Sequence, residues 1–93
     1  GGITRSVSVI SVSSTLAAAT TTDYVVFPNV GIQLTLPTAV GNSNLYTIKS
    51  DVASSILVVT TAGETIDGSA NALMPIRYES LSFISNNSVW GVI

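Results

Sequence analysis

The pattern of apolar and polar residues predicts short β-strands along the whole chain. Runs of β-branched and other apolar residues recur about every ten residues and are separated by Gly, Pro, Asn and Asp, a spacing typical of an all-β sandwich or barrel. Helical periodicity is almost missing, because the helix formers at 16–19 are followed directly by threonines. About eight strands are expected, and the nine candidate segments are 3–13, 23–27, 32–36, 45–49, 56–60, 64–67, 73–76, 80–85 and 89–93.

The segments differ in how many faces they should bury. Apolar and polar residues alternate over 32–36, which indicates one buried and one polar face. The first segment changes phase between Val9 and Ile10, which predicts a bulge or kink. Pro75 cannot donate to a ladder, so its segment is expected at a sheet edge.

One segment, 56–59, is apolar at every position. Ile56 and Val58 point to one side of a strand and Leu57 and Val59 to the other, so no rotation hides both pairs on a single sheet face. We expect both faces to be buried, one by the protein's own sheet and the other by a neighbouring element or subunit. The pattern therefore favours an oligomer.

Composition and charge exclude several classes of function. The 93 residues suffice for one domain, and only 9% of them are charged. The three cations are dispersed, which disfavours nucleic acid, and no apolar run exceeds four residues, which excludes a membrane-spanning helix. Cys and His are absent, so the chain has no disulfide, no Ser-His or Cys-His nucleophile and no usual zinc ligand. We expect no cofactor.

The carboxylates are the only remaining catalytic groups, and their arrangement favours structural roles. Glu64 and Asp67 share one predicted strand but should point to opposite faces. Asp67-Gly68 fits a turn, and the oxygens of Asp67, Ser69 and Asn71 fall short of a Ca²⁺ loop. We therefore predict no catalytic residue, no metal site and no enzyme activity. The five carboxylates are Asp23, Asp51, Glu64, Asp67 and Glu79.

Aromatic residues raise the question of ligand stacking. Tyr46 and Trp90 lie in apolar segments and are expected in the core, whereas Tyr78 lies between two charged residues and is expected to be exposed. Arg77, Tyr78 and Glu79 together could face a polar ligand. The alternative is that these three residues form a solvated turn.

Several short motifs, in order along the chain, resemble a β-domain of bacteriophage tail fibres and tail spikes. They are DYVVF from Asp23, LTLPTA from Leu34, YTIK from Tyr46, ETIDG from Glu64 and the closing segment from Ser80 to Trp90 with a terminal Val92-Ile93. The resemblance implies a virion-borne homotrimer that takes part in attachment to the bacterial surface. It brings no catalytic or ligand-binding residue with it.

These observations together give the expected organisation. Gly1-Gly2 is interpreted as a cloning remnant, 3–22 as a strand and loop leading to an upstream fibre region, and 23–93 as the tail-fibre-like β-domain. The expected fold is a small antiparallel sandwich or barrel-like domain, assembled as an intertwined or tightly packed homotrimer. The expected location is the virion, in a tail fibre or tail spike.

Four functions compete, and the last of them is an outer-membrane barrel, whose strands should run about ten residues with a lipid-facing alternation. The first is a distal module that binds capsule or lipopolysaccharide, and a natural terminus at Ile93, inside a strand, would agree with a distal position. The second is a trimerisation or connector module without receptor contact, which would bind only its own copies and upstream fibre or tail proteins. A glycan-degrading enzyme is third, because tail spikes carry that activity in a longer β-helical domain.

Overall fold

The structure, a computed structural model, describes residues 4–19, 21–61 and 63–93. Its secondary structure consists of strands, and the described residues contain no helix, so the predicted all-β class is confirmed. Gly1-Gly2, interpreted above as a cloning remnant, lies outside the described residues. The strands are β1 (Thr4–Ile10), β2 (Ser14–Thr15), β3 (Thr22–Pro28), β4 (Gln33–Thr35), β5 (Tyr46–Lys49), β6 (Ile56–Val59), β7 (Asn71–Met74), β8 (Ser80–Ser85) and β9 (Trp90–Val92).

The strands form two sheets between which the chain alternates. The first sheet has the order β1-β3-β5-β8-β9 and the second has the order β2-β4-β6-β7. Thr4 pairs with Thr22, and Tyr24 pairs with Tyr46, so one turn of the coil takes about twenty residues, as in solenoid repeats. The chain therefore makes three turns of a coil before it reverses at β7.

The expected antiparallel arrangement is wrong for these three turns. β1, β3 and β5 are parallel in the first sheet, and β2, β4 and β6 are parallel in the second. Strands that follow one another in sequence lie in different sheets, so each pairs with the strand one turn away. Among the strands of the described residues, antiparallel pairing begins where β7, β8 and β9 reverse the direction. The change of phase at Ile10 marks the passage from β1 to β2, and it is not a bulge.

The core lies between the sheets and contains the aromatic residues that were expected there. The Tyr24 and Tyr46 rings stack at 5.2 Å, and the Trp90 ring meets Tyr46 edge-on at 5.3 Å. Tyr46 Oη donates to the Ala17 carbonyl at 2.7 Å, and Trp90 Nε1 donates to the Pro37 carbonyl at 3.2 Å. Burial raises the pKa of the Tyr46 phenol. These polar tips fasten two connecting segments to the core.

Both faces of β6 were expected to be buried, and in the single chain only the inner face is fully buried. Ile56 and Val58 are fully buried between the sheets, and their neighbours Leu57 and Val59 are half-buried on the outer face of the single chain. The outer face is thus covered in part by the protein's own residues.

The segment 64–67, expected as a strand, makes only isolated bridges at Ile66. Ile66 and Ser69 exchange two backbone hydrogen bonds, of 2.7 and 2.9 Å, around Asp67 and Gly68. Both central residues have positive φ, 50° and 83°, which is the geometry of a type I′ hairpin turn. The predicted Asp-Gly turn is therefore confirmed.

The two ends of the sandwich carry different connections. At one end, here called the loop end, β3 and β5 begin and β8 ends, and it holds the loops 36–45 and 86–89. At the other, the turn end, β3 and β5 end and β8 begins, and it holds the loops 29–32, 50–55 and 75–79. The length of the strands therefore separates a concave surface at one end from the loops at the other end.

Candidate functional site

The loop end carries a concave surface between two loops, 38–44 and 84–87. It consists of a cleft of about 160 Å³ beside a shallower hollow of about 490 Å³, which share Gly41, Asn42 and Ser43. We call this surface the amide cleft, because seven of its eleven lining residues carry a side-chain amide or hydroxyl. Its lining residues are Ala18, Thr38, Val40, Gly41, Asn42, Ser43, Asn44, Ile84, Ser85, Asn86 and Asn87.

One wall of the amide cleft is held in place by a carboxylate from another loop. Glu64 accepts hydrogen bonds from the Thr38 hydroxyl at 2.6 Å and from the Ala39 amide at 2.8 Å. On the other side, Ser85 Oγ donates to the Ala39 carbonyl at 2.6 Å. Hydrogen bonds to an ionised group are stronger than neutral ones, so the wall is fixed before any ligand arrives.

The β8–β9 turn contributes two asparagines with defined orientation. Asn87, at φ 76°, accepts a hydrogen bond from the Gly41 amide at 2.7 Å through Oδ1. Asn86 Oδ1 accepts hydrogen bonds from the amides of Ser88 and Val89 at 3.0 and 2.9 Å. Both side chains are exposed, and no described residue accepts a hydrogen bond from their Nδ2 groups. Each asparagine therefore offers an N–H₂ donor to a ligand while its oxygen holds the loop.

The other two asparagines of the cleft serve the fold. Asn42 Oδ1 accepts a hydrogen bond from the Asn44 amide at 2.8 Å, and Asn42 Nδ2 donates to Tyr46 Oη at 3.0 Å. Asn44 is buried, and its Nδ2 donates to the Ala19 carbonyl at 2.9 Å. These bonds connect the cleft floor to the aromatic core.

The three residues singled out from the sequence lie at the turn end, away from the amide cleft. The Arg77 guanidinium lies 3.4 Å from Asp51 and 5.0 Å from the centre of the Tyr78 ring. Tyr78 is 59% exposed, as expected, and its carbonyl accepts a hydrogen bond from Lys49 Nζ at 2.7 Å. Lys49 and Arg77, the two cations at the turn end, are thus already bound to protein groups.

Glu79 differs from its two neighbours because it turns partly inward. The side chain is half-buried, and its Oε1 is buried without a hydrogen-bond partner among the described residues. Arg77, Tyr78 and Glu79 share one turn, but they do not present a common set of free polar groups. Their assignment as ligand-facing stays a prediction.

The carboxylates are distributed over structural positions. Glu64 holds the cleft wall, Asp51 pairs with Arg77, and Asp67 accepts a hydrogen bond from the Val92 amide at 3.3 Å. No group of three or more His, Cys, Asp or Glu side chains comes together in the part of the chain that the structure describes. Within the same residues, no helix is long and apolar enough to cross a membrane.

Sequence reasoning did not single out the residues of the amide cleft. The gaps that it left between expected strands, 37–44 and 86–88, are both connections in the structure. It could not show that these two loops meet, because Gly41 and Asn87 are 46 residues apart in the chain. The Asn and Ser residues of both loops, together with Gly41 in the first, were the available signal.

Comparison with known proteins assigns no family to the chain. No protein-family model matches the chain, and no curated protein sequence matches it.

Proposed function

We propose that this chain is an attachment module of a bacteriophage tail fibre or tail spike, which binds capsule or lipopolysaccharide glycan through the amide cleft. The observation that carries the binding role is the cleft itself, in which the asparagine donors of the β8–β9 turn lie beside a wall that Glu64 and Ser85 fix. Convergent polar groups in a preformed concave site are characteristic of small-ligand recognition. The tail-fibre setting rests on the motifs quoted above.

The chemistry of the cleft suits a sugar. Asn86 and Asn87 can donate to hydroxyl or acetamido oxygens, and Val40, 61% exposed at the rim, can cover an apolar C–H face. A fixed wall loses little conformational entropy on binding, which favours affinity for a flexible glycan.

The experiment measures binding of the labelled chain to immobilised capsule and lipopolysaccharide from a panel of bacterial strains, and to the cells themselves. Val40→Trp should fill the cleft and weaken binding at least tenfold. Ile76→Trp makes the same kind of change at an exposed site of the turn end and should leave binding unchanged. The assignment of the site is wrong if Ile76→Trp or Tyr78→Ala abolishes binding while Val40→Trp does not. The attachment role is wrong if no strain binds.

A second candidate function, the homotrimeric connector, is supported by a different surface. Tyr24 and Val26 face the core, so Val25 and Phe27 lie on the outer face of the first sheet, beside their pairing partners Val7 and Val9. Val7 and Val9 are 62% and 66% exposed, and β1 is the edge strand of its sheet. An outer apolar strip next to an open sheet edge favours contact with other copies.

Sedimentation of the chain tests this second function. A trimer is expected, and Val9→Lys should dissociate it by placing a charge on the strip. Val12→Lys, at an equally exposed valine outside the strip, should not. A stable monomer at micromolar concentration would contradict the trimer.

A further inference from the structure

Two of the three cations of the chain lie at the end of the fold opposite the amide cleft, and the third, at the start of β1, lies outside the lining of the cleft. The sequence contains three lysine and arginine residues, Arg5, Lys49 and Arg77. Lys49 and Arg77 lie at the turn end, where they are bound to the Tyr78 carbonyl and to Asp51. Arg5 lies on β1, paired in register with Asp23, and it does not line the cleft.

The charge nearest to the amide cleft is negative. The carboxylate of Glu64 bonds directly to Thr38 and Ala39, and Thr38 is itself a lining residue. Two like charges within several ångströms repel, and binding sites for carboxylate and phosphate groups normally supply Arg or Lys. A sugar that carries such a group would meet a carboxylate, and no Lys or Arg lines the cleft to compensate for it.

The groups that the cleft does offer are neutral donors and apolar surface. The Oδ1 atoms of Asn86 and Asn87 are occupied by backbone amides, so their Nδ2 groups are the ends left for a ligand. Amide N–H groups bind hydroxyl and acetamido oxygens without needing an opposite charge. Val40 and Ile84 provide the apolar contact.

From this placement we infer that the amide cleft selects a neutral, polyhydroxylated segment of surface glycan and rejects segments that carry carboxylate or phosphate. The inference rests on the proposed function and names the ligand class of the same site. The Nδ2 groups of Asn86 and Asn87 are assigned as its specificity-determining donors.

The test uses surface polysaccharide of the strain that the chain binds best, separated by anion exchange into a neutral and an acidic fraction. The chain should bind the neutral fraction, and its Kd should change less than twofold between 50 and 500 mM NaCl, since no ion pair is involved. Preference for the acidic fraction, or a tenfold loss of affinity in high salt, would overturn the inference. Failure to bind either fraction or whole cells would instead refute the proposed function.

The variants Asn87→Asp and Asn86→Asp test whether the Nδ2 groups of these two residues donate to the ligand. Each change keeps the Oδ1 acceptor that holds the loop and replaces the N–H₂ donor by a carboxylate oxygen, so the fold should be retained. At least one of these variants should lose tenfold or more in affinity for the neutral fraction. Asn29→Asp, the same change at an exposed site of the turn end, is the matched control. Unchanged affinity in both cleft variants would show that these donors do not select the ligand.

Discussion

Glu64 and Thr38 are joined by a 2.6 Å hydrogen bond that spans 26 residues of sequence. The bond links the segment after β6 to the loop after β4, and the same carboxylate also accepts the Ala39 amide. One side chain thereby fixes a wall of the amide cleft. A residue that looked like a possible catalytic acid in the sequence has a positioning role in the fold.

Removing this carboxylate should loosen the cleft wall. We expect Glu64→Ala to lower the free energy of unfolding by about 1–3 kcal/mol, because two hydrogen bonds to a charged group are lost. Urea unfolding measures the loss, and hydrogen exchange should be faster at the Ala39 amide. Asp51→Ala removes an exposed ion pair instead and should cost less than about 1 kcal/mol. Equal losses in the two variants would contradict the anchoring role.

The buried phenol of Tyr46 should make the fold sensitive to alkali. Burial raises its pKa above the usual value near 10, so the unfolded chain releases this proton at a lower pH than the folded chain. The protonated Tyr46 phenol therefore contributes fully to the free energy of unfolding below about pH 10, and this contribution is lost as the pH rises through the pKa of the folded state.

Tyr46→Phe isolates this contribution. The variant should be less stable at neutral pH by about 1–3 kcal/mol, since the bonds to Ala17 and Asn42 are lost. Its stability should also fall less steeply with pH than that of the parent chain between about pH 9 and 11.5. Urea midpoints across this range provide the measurement, and parallel curves for the two proteins would argue against a buried neutral phenol.

The hairpin turn at Asp67-Gly68 should depend on backbone conformation alone. A Cβ at Gly68 would contact nothing within 4 Å, but its φ of 83° is strained for any L-residue. Gly68→Ala should cost about 1 kcal/mol, and Gly68→Asn should cost less because Asn tolerates positive φ. Thermal unfolding tests both variants. A loss for Asn as large as that for Ala would show that the cost comes from something other than φ.

The two faces of β6 should respond differently to a charge. Val58 is fully buried, so Val58→Asp should destabilise the fold by several kcal/mol. Leu57 is half-buried on the outer face, and in a single chain Leu57→Asp should cost clearly less. If Leu57→Asp is as damaging as Val58→Asp, another subunit covers that face. Unfolding and sedimentation of both variants, measured together, distinguish these cases.

The sequence alone determined the position of most strands. Alternation at 32–36 and the Asp67-Gly68 turn are local features, and each was predicted from residues within a few positions of one another. The burial of Tyr46 and Trp90 also followed from their apolar surroundings. Local conformational preference and apolar periodicity depend on residues that are close in sequence, so they can be predicted without knowledge of the tertiary structure.

Only the tertiary structure decided how the strands pair and where the candidate site lies. The alternation between two sheets makes Val7 a partner of Val25, and no local pattern distinguishes this parallel pairing from a hairpin. The same coiling brings Gly41 to Asn87 and Thr38 to Glu64, and it carries Arg77 to the opposite end. Contacts between distant segments depend on the path of the whole chain. The amide cleft and its separation from Lys49 and Arg77 are therefore properties of the fold.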